Sequence, residues 1–138
     1  MSTIFTKIVQ GEIPSYKLAE DDRFYAFLDI NPLAKGHALV IPKQETDYLF
    51  DLPPALLGDL FQFAQRVAEA IRRSVPCKRI GVVVLGLEVP HAHIHLVPLN
   101  GESDVDFRKP KLKLLPEEMT ALAGKISSAY QLNVKREA

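Results

Sequence analysis

Ile4, Phe5, Ile8 and Val9 recur at helical spacing and the run stops at Gly11, which predicts a short opening helix closed by glycine. Residues 11–15, with Pro14, form a turn. Residues 16–19 and 24–30 are apolar stretches separated by Asp21 and Asp22, and they read as two strands joined by that turn. Asn31-Pro32 marks the next turn. Gly36 opens a third strand over residues 37–41, ended by Pro42.

The longest periodic segment follows. Asp51 is placed to cap a helix, and Pro53 and Pro54 suit its first turn. Leu57, Leu60, Phe61, Ala64, Val67, Ala68 and Ile71 then repeat every three or four residues as far as Pro76. That pattern predicts an amphipathic helix of about five to six turns. Leu56 and Phe63 widen its apolar face, consistent either with a second packing surface or with a broad core face. Residues 79–85 hold an apolar run rich in β-branched residues and too short for a helix, so they are expected to form a central strand buried on both faces. Residues 86–90 turn the chain and residues 91–97 run back as a strand. A polar surface loop is expected over residues 100–111, and a last helix from Pro116-Glu117-Glu118 to about residue 130. Short connections between successive strands indicate an antiparallel α+β fold, with residues 1–138 as one domain.

Composition narrows the function. The chain has 138 residues, 47% apolar and 25% charged, as an average soluble domain does. Its 17 basic and 17 acidic residues cancel, which argues against a nucleic acid as the main partner. A small pocket is the better expectation. The one cysteine, Cys77, cannot form an internal disulfide or a cysteine-only zinc site. Lys78 and Arg79 beside it would favour a thiolate, yet a plain buried or half-buried thiol is the simpler expectation. No apolar run approaches the roughly 20 residues of a membrane span, and the first residues lack the features of a signal peptide. A cytoplasmic protein without membrane contact is expected.

The histidines carry the chemical signal. Of four, three are His91, His93 and His95, alternating with Ala92, Ile94 and Leu96, and the fourth, His37, begins another strand. On a strand the three imidazoles would share one face. A purely structural role would require every one of these half-buried rings to find hydrogen-bond partners. A metal site is one functional alternative, with a His-x-His pair and His37 as third ligand. Neighbours about 6.6–7 Å apart can converge on one ion, but the outer two of a straight row, about 13 Å apart, cannot. The other alternative is nucleophilic catalysis at phosphorus. One neutral imidazole attacks while the others bind anionic oxygens or pass a proton to the leaving group. It gives every histidine a role and needs no metal.

The heptad His91-Ala92-His93-Ile94-His95-Leu96-Val97 matches the His-φ-His-φ-His-φ-φ signature, φ being apolar, of the histidine triad (HIT) family. Ile4-Phe5-Thr6-Lys7-Ile8-Val9 with Gly11-Glu12-Ile13-Pro14 resembles the opening of that family's Hint branch. Phe27-Leu28-Asp29-Ile30-Asn31-Pro32 and Gly36-His37-Ala38-Leu39-Val40-Ile41-Pro42 are similar to it as well. The resemblance implies a five-stranded antiparallel sheet with one long helix and a short N-terminal helix. It also implies a homodimer in which the sheet runs on from subunit to subunit. The implied activity is hydrolysis of purine nucleoside 5′-phosphoramidates at the α-phosphate, without cofactor or metal. His93 would be the nucleophile and form a transient nucleotidyl-histidine. His95 would contact the α-phosphate and help protonate the leaving group, with His91 and His37 completing the hydrogen-bonded cluster. Asp29 would accept bonds from the ribose hydroxyls with Ile30 nearby, and Ile4, Phe5, Ile8 and Phe27 would form the slot for the base. Composition alone assigns those four apolar residues to the core.

Three departures from the Hint pattern stand out. Some relatives carry zinc-binding cysteines around the opening Ile-Phe, whereas this chain has Ser2-Thr3-Ile4-Phe5-Thr6, so a structural zinc is not expected. An Asn-x-Gly stretch and a longer loop usually precede the triad. Here residues 82–86 lead directly into it, with Gly86 retained as a point where backbone can approach ligand. Glu88 occupies a position where a neutral Ser or Gln normally faces the scissile bond. Pointing inward, it would be protonated, pair with a histidinium or receive a cationic amine; turned outward by Pro90, it is a surface acid. The inward orientation, as part of the catalytic set, is the expectation adopted. A dinucleoside polyphosphate hydrolase using the same nucleophile, and a non-catalytic nucleotide sensor, are the rival functions.

Overall fold

The computed structural model describes residues 2–137. Helix α1 (Ile4–Val9) is followed by strands β1 (Lys17–Glu20), β2 (Phe24–Leu28) and β3 (Ala38–Pro42), then helix α2 (Pro54–Ser74), strands β4 (Arg79–Val83) and β5 (Ile94–Leu99), and helix α3 (Pro116–Glu137). The strands form one sheet in the order β1-β2-β3-β5-β4, every pair antiparallel. This is the expected α+β architecture.

Alternation along the strands divides the sheet into two unlike faces. Leu18, Phe24, Ala26, Val40, Ile94 and Leu96 point towards α2 and α3 and make the main core with Leu60, Phe63, Val67, Ile71 and Ile126. Tyr25, Phe27, Leu39 and Ile41 point the other way and meet Phe5 and Ile8 of α1 in a smaller apolar cluster. No helix among the described residues is long and apolar enough to cross a membrane.

Several sequence expectations need correction. Asp51 does not cap α2: it ends a 3-10 turn, Leu49–Asp51, and the capping position belongs to Pro53, which offers no side-chain bond. The buried stripe of α2 runs through Phe63, which is fully buried, while Phe61 is 39% exposed. Residues 79–85 do not form a central strand. β4 is the sheet edge beyond β5, with Val82 55%, Val84 40% and Leu85 48% exposed. A continuous β-branched run has the same composition whether both faces are buried or one edge is left open, which is why the pattern misplaced it. The final helix continues past residue 130 to Glu137.

Candidate active site

The sheet face covered by α1 gathers the chemistry. Phe27, Leu39 and His95 stand opposite one another across β2, β3 and β5. His37 lies immediately before β3, at the exit of a turn in which Gly36 has φ +99. Its carbonyl accepts from the Asp29 N–H at 3.0 Å, which extends the β2–β3 ladder by one rung and sets the two side chains side by side. The triad itself is only partly strand. β5 begins at Ile94, so His95 is its one triad residue, and residues 91–93 form the lead-in. Ala92 donates its N–H to the Thr46 carbonyl rather than to a neighbouring strand of the sheet. All four histidines are nonetheless buried, between 0% and 8% exposed.

Backbone partners fix the proton on three rings directly and on His95 through His37, because an N–H can only donate and a carbonyl can only accept. The Leu33 N–H donates to His37 Nδ1 at 3.0 Å. The His37 proton therefore sits on Nε2, which donates to His95 Nδ1 at 2.9 Å. His95 in turn carries its own proton on Nε2. His93 Nδ1 donates to the His91 carbonyl at 2.7 Å, which places a proton on Nδ1 and makes Nε2 the lone-pair nitrogen of the neutral tautomer. His91 Nε2 donates to the Pro42 carbonyl at 2.8 Å, so its Nδ1 accepts from the Thr3 hydroxyl, also at 2.8 Å. Among the described residues no fully buried side-chain nitrogen or oxygen lacks a partner. The outward Nε2 atoms of His93 and His95 have none, so both open to the surface. The two rings are 5.1 Å apart between centroids.

Burial favours the neutral form of His37, His91 and His95. It pushes His37 down to about 3, assisted by the charges of His95 and Lys111. It pushes His95 down to about 4, assisted by His93. His91 is also lowered by burial, against the pull of the Pro42 carbonyl and Glu45. Asp29 is raised by burial, opposed by the Asn31 N–H, His93 and Lys111. Its Oδ2 lies 3.6 Å from His37 Nε2, too far for a hydrogen bond, and with His37 neutral the contact is not an ion pair.

The metal alternative loses His37 as its third ligand here. Asp29, His37 and His95 present atoms within 4.8 Å of one another. Both nitrogens of His37 and the inner nitrogen of His95 are already committed, to Leu33 and to each other. An ion would have to displace a proton from His37, so this donor set fits a hydrogen-bonded pair and not a cation.

The remaining site residues are unevenly placed. Phe5 stands edge-on to Phe27 at 5.6 Å and to His93 at 5.1 Å. Ile8 is buried in the same cluster, whereas Ile4 is 49% and Ile30 70% exposed. Gly86 has φ +68, and a Cβ there would meet open space, so its backbone angle is what requires glycine. Glu88 is exposed and makes no hydrogen bond or ion pair among the described residues. Residue pattern held no hint of the Leu33 N–H or of the His91 and Pro42 carbonyls, since backbone groups carry no residue signal. It also missed Phe107 and Lys111, whose polar, proline-containing surroundings resemble an ordinary surface loop.

Comparison with known proteins agrees with this geometry. The HIT domain model matches residues 10–102. Adenosine 5′-monophosphoramidase hnt1 of Schizosaccharomyces pombe is 38% identical over 130 residues, 93% of this chain and 98% of that protein. Adenosine 5′-monophosphoramidase HNT1 of Saccharomyces cerevisiae is 43% identical over 100 residues, 72% of this chain but only 63% of its own length. The crystal structure of a zinc-bound histidine triad family protein from Mycobacterium smegmatis superposes with a TM-score of 0.80 at 30% identity, covering 98% of each chain. With its four-histidine site on a five-stranded antiparallel sheet, the chain belongs to the histidine triad family.

Proposed function

We propose that the protein is a nucleotide hydrolase or transferase that cleaves purine nucleoside 5′-phosphoramidates at the α-phosphate. The observation that carries this reading is the pair of outward nitrogens: a free lone pair on His93 Nε2 beside an N–H on His95 Nε2. Nucleophile and anion donor thus stand ready without any proton having to move first. Relatives named adenosine 5′-monophosphoramidase support the choice of substrate.

In the first step His93 Nε2 forms a bond to the α-phosphorus. The P–N bond breaks with its electron pair on nitrogen, which takes a proton delivered from solvent and leaves as the amine. His95 Nε2–H donates to an α-phosphate oxygen, where charge collects in the transition state. The His91 carbonyl holds Nδ1–H of the now cationic nucleotidyl-histidine. Water then attacks phosphorus, releases the nucleoside monophosphate, gives up its proton to solvent and restores neutral His93. Asp29 receives the ribose hydroxyls, with the exposed Ile30 and Ile4 closing on the nucleoside and Phe5, Phe27 and Ile8 backing the base. Gly86 lets backbone come close to the phosphate. Glu88, exposed three residues ahead of His91 in the chain, receives the amine when it is cationic. The open edge of β4, with Val82 exposed on it, continues the sheet into a second copy of the chain. Light scattering at micromolar concentration should give twice the monomer mass.

Rapid quenching with adenosine 5′-phosphoramidate, followed by mass spectrometry, tests the chemistry. An adenylyl group on His93, absent from His93→Ala, is expected. Binding of nucleotide with neither adduct nor turnover would instead identify a sensor. Faster turnover of a dinucleoside polyphosphate would reassign the leaving group.

A further inference from the structure

The stretch that follows the 3-10 turn Glu102–Val105 lies beyond the residues matched by the HIT domain, and it folds back over the site. The half-buried Phe107 ring meets His95 edge-on at 4.9 Å between centroids and His37 at 6.1 Å, with interplanar angles of 75° and 85°. Two ties hold it there. The Leu112 N–H donates to the Pro32 carbonyl at 2.8 Å. The Lys111 ammonium donates to the carbonyls of Phe107, at 2.5 Å, and Lys109, at 3.2 Å, and stands 5.7 Å from the Phe107 ring centroid.

We propose that Phe107 is a positioning residue of the active site: its ring keeps water off the His37–His95 hydrogen bond, so that His95 stays neutral and presents its proton outward on Nε2. The inference rests on the assignment of His95 as the phosphate donor. The bond needs one ring as donor and the other as acceptor, and a second proton on His95 would set two N–H groups face to face and break it. Water favours the charged ring, whereas an aromatic edge offers nothing to solvate it. The charged and titratable groups facing the pair are Asp29 from the end of β2, His93 from the lead-in to β5, and Lys111 from the loop. Asp29 favours protonation, and His93 and Lys111 oppose it. Phe107 has no charge of its own and acts by exclusion alone.

The test compares Phe107→Ala, Phe107→Leu and Phe107→Gln with the parent. Ring nitrogen shifts of His37 and His95 are followed by NMR across acidic pH in the free protein, beside the pH profile of kcat/KM. In Phe107→Ala both rings should take up protons at higher pH, and the acidic limb of kcat/KM should move up by about one pH unit. Leu, apolar and nearly as large, should restore parental behaviour. Gln, large but polar, should behave as Ala and carries the test if Ala does not fold. Unchanged titration in both Ala and Gln, or a Leu variant indistinguishable from Ala, overturns the proposal. The ring titration needs no substrate, so loss of the phosphoramidase assignment and loss of this one would be told apart.

Discussion

The backbone groups that set the protons on His37, His91 and His93 cannot be removed by substitution, but the side chains that share those rings can be tested one at a time. Thr3 serves two masters. Its hydroxyl accepts the Thr6 N–H at 3.1 Å, capping α1, and donates to His91 Nδ1 at 2.8 Å. Glu45 holds the same corner, taking the Thr3 N–H at 2.6 Å and the Thr6 hydroxyl at 2.9 Å. Threonines thus anchor the first triad histidine by hydrogen bonds where some Hint relatives place zinc-binding cysteines. Thr3→Val keeps the shape, removes the cap and leaves a buried acceptor with only the longer Thr6 contact at 3.4 Å. Urea unfolding should show a loss of about 1–2 kcal/mol. Because the His91 carbonyl that holds His93 is untouched, kcat should fall far less than in His93→Ala. Unfolding at the parental midpoint would show that Thr3 has no such role.

At the scale of elements, the turn into β3 decides whether His37 can reach His95 at all. Gly36 has φ +99, and a Cβ there would lie 3.0 Å from Val75 Cγ2 and 3.3 Å from Pro98 Cγ. Gly36→Ala therefore combines a backbone angle that L residues avoid with crowding against the end of α2 and β5. A loss of about 2–3 kcal/mol is expected by denaturation, with kcat/KM falling further than stability alone explains. An alanine variant as stable as the parent would remove the turn from this account. The elements themselves were largely legible. Helical spacing located α1 and α2, and Asp21-Asp22, Gly36 and Pro42 bounded the strands. What failed had a physical cause. The run of valines in β4 is as apolar as a buried strand, and only the pairing order reveals an edge. The His-x-His-x-His pattern pointed to one face of the sheet, but it could not show that His91 and His93 lie outside β5 and bond to the carbonyls of Pro42, at the end of β3, and of His91 itself. Phe107 lay hidden for a related reason: its contact with His95 depends on a loop held by backbone bonds, to which residue pattern is blind.

For the whole molecule, a dry histidine ladder links activity to acid stability. His37 and His95 are held at about 3 and about 4, against 6.5 for an unperturbed ring, with burial as the leading cause. Across that interval the unfolded chain binds protons that the folded chain does not, so stability rises with pH. The contribution is fully present above about 6.5 and is lost as pH falls towards the folded values. His91, lowered by burial, adds to the same slope. Asp29 pulls the other way. Its raised pKa means that the folded chain holds that proton more firmly, which favours folding at low pH and opposes it once the carboxyl ionises. Three rings outweigh one carboxyl, and the net loss on acidification should be on the order of a few kcal/mol. That is a large part of the roughly 5–15 kcal/mol available to a domain. Urea midpoints should therefore decline steadily from pH 6.5 to pH 4. A midpoint constant over that range would mean that the rings are charged, or already hydrated, in the native state. The His37–His95 bond, and the single exposed donor it leaves on His95, would then have to be abandoned together.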